Sequence, residues 1–210
     1  MKRRQFALGA AAVALPGLLA WPALAQSGKG YIELQQRAPV EAPAGQIEVL
    51  EFFSYGCPHC RDFEPILGQW KRTLPKDVTL RQVHVGFNKA FEPLQRLFYA
   101  LETLGKVDAL QARIYTALQT ENKRLDKPEV LLPWIAGQGV DRAKFEEAYN
   151  SFGVATKVRR AMLLQEAYAV EGTPALGIAG RFYTDGAMAQ GFDGMIKLAD
   201  QLIAQVRKGG

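Results

Sequence analysis

Cys57 and Cys60 are the only cysteines in this 210-residue chain, and Pro58 and His59 alone separate them. Two cysteines placed at random would show that spacing roughly one time in a hundred, so the pair reads as a unit. Residues three apart on a helical turn face one another, at a separation a disulfide can bridge. Cys57 falls where a helix should begin, and there the unpaired backbone N–H groups and the helix dipole favour an anion. His59, lying between the thiols, can stabilise a thiolate by charge or by donation. These features predict a depressed pKa for Cys57, which makes it the attacking and leaving sulfur. Cys60, one turn further in, should be more buried and act as the resolving thiol. A stabilised thiolate favours the reduced pair, so the disulfide form becomes a strong electron acceptor. The expected direction is oxidation of other proteins.

Two plainer chemistries compete. Half a zinc site would need two further Cys or His ligands, and His59 and His84 are the only histidines. His84 lies on the 78–85 strand and reads as a satisfied or half-exposed residue rather than a catalytic one. No metal is expected. A purely structural disulfide is disfavoured because so small a ring constrains the unfolded chain very little.

The surrounding sequence supplies the elements that position the pair. A short first strand is expected at 31–34, then a Pro/Ala/Gly-rich linker at 39–45. Ile47–Phe53 is apolar enough for a strand buried on both faces. Helix should run over 58–74, with Pro58 at the first helical position, where its missing N–H costs nothing. Pro65 inside it removes the bond to the Arg61 carbonyl and should kink it. Residues 78–85 alternate as a strand, with Val78, Leu80, Val83 and Val85 turned inward.

The pattern then turns helical. Phe91, Leu94, Leu97, Phe98, Leu101 and Leu104 recur at helical spacing, as do Leu110, Ile114, Tyr115 and Leu118. Further helices are expected at 128–136, after an Asp141 N-cap with a Val140–Phe145 staple, and at 154–169, carrying Val158, Met162, Leu163 and Tyr168. Strands return at 175–179 and 182–183 around a Gly180-Arg181 turn, and a last helix covers 193–206. This order predicts an α/β sheet interrupted by an all-helical insertion.

The first 25 residues read as a cleaved secretory signal peptide. Lys2, Arg3 and Arg4 precede a mostly apolar stretch at 6–19, and Ala23-Leu24-Ala25 suits cleavage before Gln26. Arg3-Arg4-Gln5-Phe6 also looks like a twin-arginine signal, so the export route stays open. Losing three basic residues takes the formal charge from +5 to +2, which removes the main support for nucleic-acid binding.

The segment Glu51-Phe52-Phe53-Ser54-Tyr55-Gly56-Cys57-Pro58-His59-Cys60 resembles the active-site segment of the DsbA family of periplasmic thiol:disulfide oxidoreductases. The resemblance implies a thioredoxin fold with a helical insertion. It divides the chain into a thioredoxin-fold part at 26–89 bearing the Cys-Pro-His-Cys motif, an insertion at 90–165 and a second thioredoxin-fold part at 166–210. It also implies that Gly172-Thr173-Pro174-Ala175 is the cis-proline loop opposite the thiols, with Thr173 and Pro174 meeting substrate. Glu51 matches a buried acid that relays protons to the inner cysteine.

Two positions depart from the family pattern. Thr173 stands where DsbA itself typically has Val, and Gln82 where a nearby lysine is often found. The implied cofactor is none beyond the Cys57–Cys60 disulfide. The implied partners are reduced, unfolded exported proteins and a membrane quinone-linked reoxidase resembling DsbB. The rival readings are a disulfide isomerase or reductase of the same superfamily and a thioredoxin-fold binding protein or holdase without redox role. DsbC-type isomerases also carry Thr before the cis-proline, but the stretch at 26–46 is too short for their N-terminal dimerisation domain.

Overall fold

The structure, a computed structural model, describes residues 30–209. The expected signal peptide and its cleavage site lie outside the described residues.

A five-stranded sheet carries the chain's chemistry. Its strands are β1 (Ile32–Glu33), β2 (Ile47–Phe53), β3 (Val78–His84), β4 (Ala175–Ile178) and β5 (Phe182–Asp185), in the order β1-β5-β4-β2-β3. Only the β2–β3 pair is parallel, joined through a crossover helix; the remaining pairs are antiparallel. All seven residues of β2 are buried, as expected for a central strand covered on both faces. In β3, Val78 and Val83 are buried, whereas Leu80 is only half-buried, because β3 lies at the edge of the sheet.

The crossover is α1 (Pro58–Lys71), which ends three residues before the expected 74; Arg72 and Thr73 close it with bonds to the Gln69 and Trp70 carbonyls. Pro65 lies within it. Between β3 and β4 come five α-helices: α2 (Glu92–Thr103), α3 (Val107–Tyr115), α4 (Pro128–Gly137), α5 (Arg142–Asn150) and α6 (Phe152–Ala167). The Asp141 carboxylate caps α5 by accepting from the Lys144 N–H at 3.0 Å, and Val140 and Phe145 are both buried. α7 (Phe192–Arg207) closes the described chain. This is a thioredoxin fold interrupted by a helical insertion.

Two apolar cores lie against the sheet. Phe63, Leu67 and Trp70 of α1 and Met195, Ala199, Leu202 and Ile203 of α7 pack with Val49, Leu176 and Ile178. The insertion helices pack with Leu50, Phe52, Val83 and Ala175. Alternation sends Val49 and Leu50 of β2, and Ala175 and Leu176 of β4, to opposite cores. Gly177 is needed on the insertion side, since a Cβ there would lie 2.5 Å from the Tyr168 ring. The Tyr168 hydroxyl in turn accepts from the Gly180 N–H at 2.9 Å, tying α6 to the hairpin.

The β4–β5 turn is centred one residue earlier than its sequence suggests. Ala179 and Gly180 have φ of 53° and 67°, and Arg181 N–H closes the turn on the Ile178 carbonyl at 2.9 Å. Two positive φ values are what a primed hairpin turn requires. On α6, Met162 and Leu163 are exposed rather than part of the core. They stand on its outer face, while Val158, Ala161 and Leu164 point inward.

Candidate active site

The turn Ser54-Tyr55-Gly56 brings the chain from β2 to α1 and sets Cys57 at the helix N-cap, with Pro58 as the first helical residue. No side chain caps this end, so its N–H groups are left to the Cys57 sulfur. The turn is held by Cys57 N–H to the Ser54 carbonyl at 3.0 Å and Gly56 N–H to the Ser54 hydroxyl at 3.3 Å. Cys57 is half-buried and Cys60 fully buried; both are free thiols in this structure.

Their electrostatics diverge sharply. The Cys57 pKa is lowered to about 5, first by a hydrogen bond from the Cys60 thiol, then by the Thr173 side chain and the backbone N–H groups of Cys60 and His59. Partial burial opposes the shift but is outweighed. Cys60 is pushed up, by its bond to the Cys57 sulfur and then by burial. One proton is therefore held on the inner sulfur while the outer sulfur is an anion at neutral pH. His59 meets Cys57 through its backbone N–H; its imidazole is exposed.

Thr173 stands across from the dithiol. The Cys57 thiol, when protonated, donates to the Thr173 carbonyl at 3.3 Å. The Thr173–Pro174 peptide is cis. Sequence positions 116 apart thus meet at one sulfur.

Glu51 lies in the central strand with no exposure, not at a sheet edge. Burial, and next the charge of Glu64, pushes its pKa up to about 8. Gln82 is its register partner on β3 and donates to its Oε2 at 2.7 Å, while Oε1 has no partner. Glu64 on α1 is also raised by burial and accepts from Gln111 at 2.6 Å. The Tyr115 hydroxyl is buried without a partner and feels the charges of both Glu51 and Cys60.

Of the two alternatives expected for His84, satisfied or half-exposed, the structure shows the first, for it is fully buried. Its Nε2 accepts from the Tyr55 N–H at 3.1 Å and its Nδ1 sits 3.0 Å from the Val85 carbonyl, which fixes the Nδ1–H tautomer. Burial lowers its pKa to about 3. It is satisfied on both nitrogens and neutral, a support for the turn. Among the described residues no three His, Cys, Asp or Glu side chains gather where they could hold a metal.

A DSBA-like thioredoxin domain matches residues 86–203, more than half of the chain. The chain belongs to that family. The match begins after the cysteine pair, so the case for the dithiol rests on its own geometry and on similarity over the longer span. "Thiol:disulfide interchange protein DsbA" of Bordetella parapertussis is 45% identical over 202 residues, covering 96% of each chain. The protein of the same name from Burkholderia cepacia is 37% identical over 89% of this chain and 88% of its own. A crystal structure of Pseudomonas aeruginosa DsbA superposes with a TM-score of 0.83 at 37% identity, covering 87% of this chain and 94% of that one.

Within this DSBA-like site, the structure brings Cys57, His59, Cys60 and Thr173 together, with Pro58 at the helix start, while Glu51 is buried on β2 and shares with Cys60 an influence on Tyr115. Reading the sequence missed Tyr115, Glu64 and Gln119. Tyr115 was visible only as one apolar position of a helical stripe. Gln119 carries no local signal at all, yet its amide Nε2 donates to both the Tyr55 carbonyl at 2.9 Å and the Cys57 carbonyl at 3.1 Å.

Proposed function

We propose that this chain is a periplasmic thiol:disulfide oxidoreductase that donates its Cys57–Cys60 disulfide to newly exported proteins. The observation that supports this best is the opposite behaviour of two thiols in one helical turn, Cys57 held down to about 5 and Cys60 pushed up. A substrate thiolate attacks Cys57 Sγ of the disulfide. The Cys57–Cys60 bond breaks, its electron pair passes to Cys60, and Cys60 takes a proton. A second substrate thiolate then attacks the substrate sulfur of the mixed disulfide and expels Cys57 as a stable thiolate. The substrate gains one disulfide, and two electrons end on the Cys57–Cys60 pair.

Glu51, kept protonated by burial up to about pH 8, is the group proposed to manage the proton at Cys60. Thr173 and Pro174 present loop backbone to an extended substrate segment. An open cavity of about 660 Å³, with Gly86, Met162, Leu163 and Val170 among its lining residues, extends to Glu171, the residue before that loop. Its apolar walls suit unselective binding of unfolded chains. A membrane quinone-linked enzyme would reoxidise the pair, and cleavage after Ala25 would release the mature protein into the periplasm.

The test is oxidation of a reduced, unfolded protein, with a redox titration against glutathione. The parent protein should form disulfides stoichiometrically. Cys57→Ser should abolish the reaction, and Cys60→Ser should accumulate mixed disulfides. Equal loss without trapping would contradict the assigned roles, and a Cys57 that titrates as an ordinary thiol would remove the oxidase reading.

A further inference from the structure

The turn before Cys57 is held by side chains from two directions. From the sheet, His84 Nε2 takes the Tyr55 N–H. From the helical insertion, Gln119 takes two carbonyls at once, those of Tyr55 and Cys57. The Cys57 carbonyl otherwise accepts only the long first bond of α1, from Arg61 N–H at 3.3 Å. Gln119 reaches the turn because α3 continues into a single π turn, Thr116–Thr120, closed by Glu121 N–H on the Thr116 carbonyl at 3.0 Å. Such turns are rare and cluster at functional sites, because the added residue re-aims one side chain. The Gln119 Oε1 is buried and has no partner, so the two turn carbonyls alone orient this amide.

A carbonyl oxygen beside a thiolate destabilises it, whereas N–H groups stabilise it. The N–H groups of His59 and Cys60 add to the Cys60 thiol and the Thr173 side chain in stabilising the Cys57 thiolate, and the Cys57 carbonyl must point away for those N–H groups to face the sulfur. We infer that Gln119 is a positioning residue. By fixing the Tyr55 and Cys57 carbonyls it keeps the helix N-terminus aimed at the Cys57 sulfur, so the insertion domain sets how oxidising the pair is. The inference rests on Cys57 being the exchanging thiol.

The experiment compares Gln119→Met, which keeps the shape and loses both donors, with Gln119→Asn, which keeps an amide too short to span both carbonyls. In the reduced proteins, thiolate absorbance is followed against pH, the equilibrium with glutathione is measured, and urea unfolding reports stability. Gln119→Met should raise the Cys57 midpoint by about 0.5–1 pH unit and weaken the oxidising equilibrium by about 3–10-fold. Gln119→Asn should fall between it and the parent, and it carries the test should Gln119→Met not fold. Variants that lose stability while Cys57 titrates as in the parent would make Gln119 merely structural and overturn the inference. A parent protein that fails to oxidise reduced protein would instead sink the proposed function, before any variant is compared.

Discussion

Two buried pockets flank the dithiol, and each encloses a titratable group that the sheet removes from water. Between β3 and α2, His84 packs against Phe53, Tyr55 and Phe98 with ring centroids 5.0, 5.2 and 6.3 Å away. Both of its nitrogens are engaged, and nothing charged is needed to complete it. In the seam between α1 and α3, Glu51 has one bonded oxygen and one orphan, beside Glu64, Gln82 and Tyr115. A cleft lined by Glu64, Gln82 and Lys71, among others, opens near it. A buried polar group left partly unsatisfied costs stability, and such groups persist at sites of function. The first pocket is finished as structure, whereas the second is left able to exchange a proton.

The comparison breaks most forcefully at the aromatic pocket. Phe98 is 1% exposed and packs on Phe53, Tyr55, His84 and Tyr99. Phe98→Ala should cost about 3–5 kcal/mol in urea unfolding, through lost transfer energy and the cavity left behind. A loss below about 1 kcal/mol would mean that this pocket is not the rigid wall described.

Glu51→Gln should act in the opposite direction. The folded protein holds the Glu51 proton up to about pH 8, while the unfolded chain releases it near its ordinary value of 4.5. Stability from this group is therefore complete below about 4.5 and declines as pH rises toward 8. The neutral amide removes that decline. On the disulfide form, where Cys57 does not titrate, Glu51→Gln should gain on the order of 3 kcal/mol at pH 7 and almost nothing at pH 4. Exchange at Cys60 should slow in the same variant. Parallel pH–stability curves for parent and variant would show that Glu51 ionises freely in the fold.

His84→Leu sharpens the contrast because its pH limb has the other sign. His84 is neutral in the fold down to about pH 3, whereas the unfolded chain takes up a proton near 6.5. Its stability is full above about 6.5 and drains as pH falls toward 3. Leu abolishes this acid limb but leaves the Tyr55 N–H without an acceptor, at a cost of about 1–3 kcal/mol at pH 7. An acid limb of unchanged slope in the variant would assign it to other groups.

How much of this was legible in the sequence follows the range of the forces involved. The Ile47–Phe53 strand, Pro58 at the helix start and the Asp141 cap rest on local patterning, and the structure reproduces them. Gly172-Thr173-Pro174 was placed opposite the thiols by family resemblance rather than by spacing, and it meets Cys57 there. The complete burial of His84 was hidden because it depends on α2 covering the end of β3, a tertiary fact with no signature on the strand itself. The exposure of Met162 and Leu163 was hidden for the converse reason, since helical periodicity does not say where a neighbour stops. Gln119 needed a π turn, and nothing in Thr116-Ala117-Leu118-Gln119-Thr120 announces one.

The smallest expected effect falls on the residue that makes this seam unlike its family pattern. Gln82 gives Glu51 a single neutral donor at 2.7 Å, where a lysine would add a positive charge. Gln82→Lys should lower the Glu51 pKa, by about 1 unit or more for a cation this close. The alkaline decline in stability should then end at a lower pH, and for a one-unit drop the protein should gain about 0.4 kcal/mol at pH 7 relative to the parent, rising to about 1.3 kcal/mol at pH 9. His84 and its acid limb should not respond, because Gln82 bonds to the seam and not to the aromatic pocket. A Gln82→Lys protein whose acid limb moves while its alkaline decline stays would invert the assignment of the two pockets. Proton exchange would then belong to the side now read as structure.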